Sequence, residues 1–185
     1  MTAILEREIK LRFDDAAAAR AAVLNAGAAP LRARRLQEDY LLDAPDERLR
    51  QRRSVLRVRM ETGRTFLTFK GPVQPSPMKL RDELETMVSD GPLLVRMLEE
   101  IGFLVWFRYE KYREEFVLND VIVAVDETPV GTFIEIEGSA QGISAMTTAL
   151  GRSPGDYLLD SYRALFVLHC EQHGLPVTDM LFGDL

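Results

Sequence analysis

Ile4-Leu5-Glu6-Arg7-Glu8-Ile9-Lys10-Leu11-Arg12-Phe13 alternates with a period of two, the spacing that sends successive side chains to opposite faces of a β-strand. Glu6, Glu8 and Lys10 share one face, opposite Leu5, Ile9 and Leu11. The split recurs further along. Arg57 and Arg59 stand opposite Leu56 and Val58; Arg81, Glu83 and Glu85 share a face; Lys111 pairs with Arg113; Glu135 and Glu137 flank Ile136. A solvent-exposed sheet explains any one of these strands alone. It does not explain five strands that set like charges two residues apart, where neighbours repel, because a free surface mixes its signs. A sheet closed into a barrel, apolar side outward beneath helices and charged side inward, accounts for all five.

Outward from the first strand, Asp14 and Asp15 precede an alanine-rich run, 16–26, that ends at Gly27 and Pro30, which predicts a helix. Extended segments are expected at 35–43, 55–61, 65–70, 79–88, 106–118, 121–127 and 132–137, with a proline-rich loop over 71–77. Further helices are expected from about residue 92 to 101, over 139–150 and, as one longer element, over 154–172. The total is about eight strands and four helices, an α+β chain without an internal linker. One domain is expected over 1–175, with a loosely attached tail over 176–185.

Composition narrows the function classes. The 185 residues are 46% hydrophobic and 28% charged, enough apolar content for a real core. No run approaches the roughly 18 apolar residues of a membrane span, and the first ten residues carry two glutamates and no leader-like apolar segment. A net charge of −6 argues against bulk nucleic-acid or anionic-membrane binding. The single cysteine, Cys170, excludes an internal disulfide framework, and a reducing cytoplasm is the expected compartment. Only four of the 23 basic residues are lysines (Lys10, Lys70, Lys79 and Lys111), which directs attention to those positions.

Buried charge of this density is tolerated only if hydrated or neutralised by a ligand. Glu6, Glu8, Glu83, Glu85, Glu135 and Glu137 are hard oxygen donors suited to Mg²⁺ or Mn²⁺. Lys10, Arg57, Arg59, Lys70, Lys111 and Arg113 are the inventory for phosphate oxygens. A divalent metal beside a cationic cradle points to a polyanionic phosphate and to phosphoryl or nucleotidyl transfer.

The order Glu6-Arg7-Glu8-Ile9-Lys10, Gln37-Glu38-Asp39-Tyr40, Leu56-Arg57-Val58-Arg59, Thr68-Phe69-Lys70, Arg81-Asp82-Glu83-Leu84-Glu85, Lys111-Tyr112-Arg113, Val125-Asp126-Glu127 and Gly131 to Glu137 resembles the CYTH superfamily, the triphosphate tunnel metalloenzymes, whose signature is ExExK. The resemblance implies a closed eight-stranded antiparallel barrel with helices outside, holding a triphosphate and one or two divalent ions. It implies Glu6, Glu8 and Glu135 as ligands of the main metal. Glu137, Asp126, Glu83 and Glu85 would support it, hold a second ion or position water. The six cations would grip phosphate and carry the catalysis. The substrates it implies are small triphosphates: tripolyphosphate, thiamine triphosphate or ATP. A homodimer is left open.

Two reactions follow from the resemblance. A triphosphatase uses an oriented water to attack the terminal phosphorus; a class IV adenylate cyclase directs the ribose 3′-hydroxyl at the α-phosphorus. Hydrolysis ranks first because it needs no base-specific pocket. A non-catalytic polyphosphate- or nucleotide-binding module is the third reading, disfavoured because surplus carboxylates repel a polyanion unless a metal stands between. Other features read as structural. His169, Cys170 and His173 sit near a helix end. The basic run 48–53 reads as a solvated loop near the tunnel mouth, and Trp106 and Phe107 as wall packing, with a stacking role for an aromatic at the mouth. Lys79, Arg81 and Arg108 are left without a role.

Overall fold

The computed structural model describes residues 4–183. Its strands are β1 (Ile4–Phe13), β2 (Ala29–Asp43), β3 (Val55–Glu61), β4 (Arg64–Lys70), β5 (Lys79–Val88), β6 (Leu104–Leu118), β7 (Val121–Thr128) and β8 (Gly131–Gly138). They close into a barrel in the order β1-β5-β4-β3-β2-β6-β7-β8, and every pairing is antiparallel. Helices α1 (Ala16–Asn25), α2 (Arg48–Gln51), α3 (Gly91–Glu100), α4 (Ala140–Ala149) and α5 (Tyr162–His173) lie outside or across its end.

Two apolar clusters set the architecture. Outward-facing Ile9, Leu11, Val123, Val125, Ile134 and Ile136 pack against Ala19 and Val23 of α1 and Ile143 and Met146 of α4. The second cluster sits at one end, where inward-facing Leu41, Phe107, Tyr109 and Phe133 meet Tyr162, Leu165 and Phe166 of α5. That end is therefore shut by a helix, while the end at the start of β1 stays open. Helix starts are fixed by side-chain caps: Asp15, Asp90, Ser139 and Ser161 each accept a backbone N–H of the first turn.

Three expectations need correction. The predicted helix over 154–172 is broken: Pro154–Asp156 makes a 3₁₀ turn, and α5 begins only at Tyr162. The extended stretch between them has a partner. Leu158 exchanges two backbone hydrogen bonds with Lys10, at 2.9 and 3.0 Å, because β5 pairs with β1 only as far as Glu8 and leaves that edge open beyond. Nor is the tail loose. Met180 is fully buried, bridges to β6 through Arg108 and Glu110 backbone groups, and Phe182 lies 5.1 Å from Tyr112 in ring centroids. Finally, β2 starts at Ala29, six residues before its predicted start, and two of its three register shifts against β6 fall at that added beginning.

Candidate functional site

The charged faces of the strands converge on one cavity of about 330 Å³. Every predicted site residue except Asp126 lines it: Glu6, Glu8 and Lys10 from β1, Arg57 and Arg59 from β3, Lys70 from β4, Glu83 and Glu85 from β5, Lys111 and Arg113 from β6, Glu135 and Glu137 from β8. Asp126 faces the same interior from β7 but has no exposed surface, covered by Lys111, Arg113 and Tyr162. There it accepts from Lys111 at 2.9 Å, from Arg113 at 2.7 and 2.5 Å, and from the Tyr162 hydroxyl at 2.5 Å. Asp126 thus aims two lining cations.

The remaining carboxylates alternate with cations. Glu6 accepts from Lys70 at 2.5 Å and Arg81 at 2.8 Å. Glu8 accepts from Lys10 at 2.9 Å and Lys79 at 2.7 Å. Glu135 lies 3.1 Å from Lys10 and 2.6 Å from Arg113, and Glu83 2.9 Å from Lys70. Glu85, nearer the open mouth, accepts from the Thr68 hydroxyl at 2.8 Å.

Several participants were not singled out from sequence. Arg81, already placed on one face with Glu83 and Glu85, had no role assigned; Lys79 shares that inward face of β5, so the period of two extended by one step would have included it. Asp39 of β2, 1% exposed, holds Arg59 by two hydrogen bonds of 2.8 and 3.0 Å and lies 3.4 Å from Arg57. Its parity with Gln37 and Leu41 was the available signal. Tyr162 comes from a helix far along the chain, and no local pattern marks it. Arg108 is on the outer face, its guanidinium 5.1 Å from the Tyr40 ring centroid. His169 and His173 stack on each other at 4.2 Å near the end of α5.

Two lysines of nearly equal burial, Lys10 and Lys111 at 2 and 1% exposed, have opposite electrostatics. Burial opposes the charge of both. Lys10 lies between two carboxylates, Glu8 and Glu135, and together they outweigh burial and raise its pKa. Lys111 shares Asp126 with Arg113, so burial and the Arg113 charge push it down to about 7. Lys79 falls to about 8 through burial and the charge of Lys10, with Glu8 in opposition. Burial works to raise Glu8 and Glu135 too, yet their cations hold both well below the ordinary carboxylate range. Glu137 lies opposite Glu8 across the β1–β8 ladder and touches tunnel solvent while surrounded by protein. Partial desolvation, then the charges of Glu6 and Glu135, push its pKa up to about 7.

Among the described residues no three acidic, His or Cys side chains form a ready cation cage. The donor chemistry nonetheless fits a hard divalent ion. Glu6, Glu8, Glu135 and Glu137 are all oxygen donors on the adjoining strands β1 and β8, and their mutual repulsion, felt most at Glu137, is what a cation would relieve.

A closed antiparallel barrel whose interior alternates carboxylates with cations is the class of protein that this fold and site define. The CYTH domain family model matches residues 5–151, and the chain belongs to that family. It is 28% identical over 142 residues, 76% of this chain and 81% of the other, to a protein of Methanocaldococcus jannaschii named "Putative adenylate cyclase MJ0240". Among solved structures, the PH1819 protein of Pyrococcus horikoshii superposes with a TM-score of 0.77 at 24% identity, covering 89% of this chain and 99% of that one. A Hippeastrum protein superposes with a TM-score of 0.60 at 18% identity, covering 92 and 97%. That protein is a candidate adenylyl cyclase that reveals a dominant triphosphatase activity.

Proposed function

We propose that the protein hydrolyses a phosphoanhydride bond of a small triphosphate held in the barrel, with Mg²⁺ or Mn²⁺ as its metal. The observation that carries this reading is the set of six cations (Lys10, Arg57, Arg59, Lys70, Lys111 and Arg113) that line one cavity together with Glu6, Glu8, Glu135 and Glu137. Glu6, Glu8 and Glu135 would hold the ion, and Glu137, Glu83 and Glu85 would support it or a second ion. When bound, such an ion polarises phosphoryl oxygens and offsets their charge.

The protein's own groups divide the rest of the work. Lys10, Lys70 and Arg113 each contact two carboxylates or more, so an entering triphosphate takes over cations that the glutamates now hold. Arg57 and Arg59 are steadied by Asp39 and Arg113 by Asp126, which keeps their donors fixed while charge moves to the leaving phosphate. Glu137, with a pKa near 7, suits acceptance of a proton from an attacking water.

The name of the Methanocaldococcus relative favours a second reading, cyclisation of ATP to cyclic AMP and pyrophosphate. One assay separates the two: tripolyphosphate, thiamine triphosphate and ATP offered with Mg²⁺ or Mn²⁺, reading phosphate, pyrophosphate and cyclic AMP. Phosphate from tripolyphosphate without cyclic AMP from ATP supports hydrolysis; cyclic AMP with stoichiometric pyrophosphate overturns it. Glu8→Gln should lower metal-dependent turnover by roughly 100-fold or more, and full turnover in that variant would refute the ligand assignment. A pure binding module would hold tripolyphosphate in chelator and release no product with metal.

A further inference from the structure

Lys10 and Lys111 enter the charged cavity from different strands, β1 and β6, yet they stand over one ring. The Nζ of Lys111 lies 4.7 Å, and that of Lys10 5.2 Å, from the ring centroid of Tyr162, a buried residue in the wall of the same cavity. A ring face carries partial negative charge, and where water is excluded it attracts an ammonium more strongly than at a surface. The hydroxyl of the same side chain donates to Asp126, whose carboxylate also takes Lys111 and Arg113. Lys70 and Lys79 are held by glutamates instead, with no ring beneath either among the described residues.

The segment before Tyr162 fixes where the ring goes. Leu158 is bridged to the Lys10 backbone, and Ser161 caps α5 by accepting the Ala164 N–H, so Tyr162 meets the barrel end as the first residue of the helix. Phe133, inclined at 68° with centroids 5.6 Å apart, and Tyr109 at 6.3 Å hold its plane. One short segment therefore holds Lys10 twice, by its backbone through Leu158 and by its ammonium through Tyr162. Leu158, Ser161 and Tyr162 all follow residue 151, where the family match stops.

We propose that Tyr162 is a positioning residue of the phosphate site. Its ring is the floor that sets where the Lys10 and Lys111 ammoniums stand. Its hydroxyl holds Asp126, so that the Lys111 and Arg113 donors are fixed before a phosphate arrives. Tyr162 acts through these groups and not by contact with the phosphates. The kinetic consequence rests on the triphosphatase reading: charge that builds on phosphoryl oxygens meets donors already aimed, which favours the transition state over the bound substrate.

The chain has four lysines, so selective ¹³C labelling of the lysine ε carbon gives four NMR signals in the free protein, a readout independent of turnover. Those of Lys10 and Lys111 should be shifted upfield by the ring current. Tyr162→Phe should leave them there, and Tyr162→Leu should bring them back among the other two. With tripolyphosphate and Mg²⁺, Tyr162→Phe should lower kcat about tenfold while KM stays within about twofold, and Tyr162→Leu should raise KM as well. Four unshifted signals in the native protein, or signals unmoved in Tyr162→Leu, would overturn the proposal. So would full kcat in Tyr162→Phe, or a lowered Tm in both variants with neither readout changed, which would make Tyr162 only the seat of α5. Should Tyr162→Leu not fold, the native signals and the Tyr162→Phe kinetics still decide. If the native protein releases phosphate from no triphosphate, the triphosphatase reading fails, while the lysine signals still test the floor.

Discussion

Lys111 is the residue whose chemistry changes most when an anion arrives. Held near pKa 7 by burial and by Arg113, it is largely neutral above that pH, and a polyphosphate beside it favours the charged form. Binding between about pH 7 and 10 therefore takes up a proton. Calorimetric titration of tripolyphosphate in buffers of different ionisation enthalpy should show that uptake in the native protein and a smaller one in Lys111→Arg, whose guanidinium is already charged, Lys79 at about 8 supplying the remainder. An unchanged proton count would refute the assignment. The inward charges of β1, β3, β6 and β8 were readable because a strand's period is rigid. The cations' holders were less so: Asp39 sits among residues of mixed polarity in β2, and Tyr162 reaches Asp126 from 36 positions away, a distance no periodicity spans.

At the scale of elements, turns and caps were legible and strand length was not. A strand expected over 132–137 and a helix over 139–150 leave the β8–α4 corner at residue 138, and the structure gives the reason for Gly138 there. Its φ is +152°, and a Cβ there would stand 2.6 Å from the Asp120 carbonyl oxygen and 2.8 Å from Val121. Gly138→Ala should cost about 1–3 kcal/mol, measurable as a lowered denaturant midpoint at constant slope; a shift below a few tenths would mean that the β7 turn yields freely. The helix predicted over 154–172 failed for an instructive reason. Local propensity through 157–161 is helical enough, but the exposed edge of β1 beyond Glu8 offers Leu158 two hydrogen bonds, and a tertiary partner overrides local preference. The same competition tied down the tail: Met180 found an edge of β6.

For the whole molecule, the interior stores cations and carboxylates against each other, so filling it should stiffen the fold. Tripolyphosphate with Mg²⁺ at about 100 times its Kd should stabilise by about 2.7 kcal/mol, a rise in Tm of roughly 5–10 °C for a chain of this size. Sulfate at matched ionic strength should give far less; an equal rise would make the effect non-specific. Closure of the barrel was foreseeable from the sign pattern of its strands. The closing of one end was not, because it depends on α5 and the stretch before it folding back across that end.

The bridge between Lys10 and Leu158 also bears on how the chain is born. As it leaves the ribosome, β1 emerges first, yet its neighbours are β5, β8 and the stretch around residue 158. One edge of it waits for β5 and the other for β8, with no partner in the meantime, the condition under which unpaired strands stick to one another. Glu6, Glu8 and Lys10, destined for the lumen, give that waiting ribbon one charged side. Replacing these three with apolar residues should therefore raise aggregation during refolding, measurable as light scattering, before there is a barrel to fill.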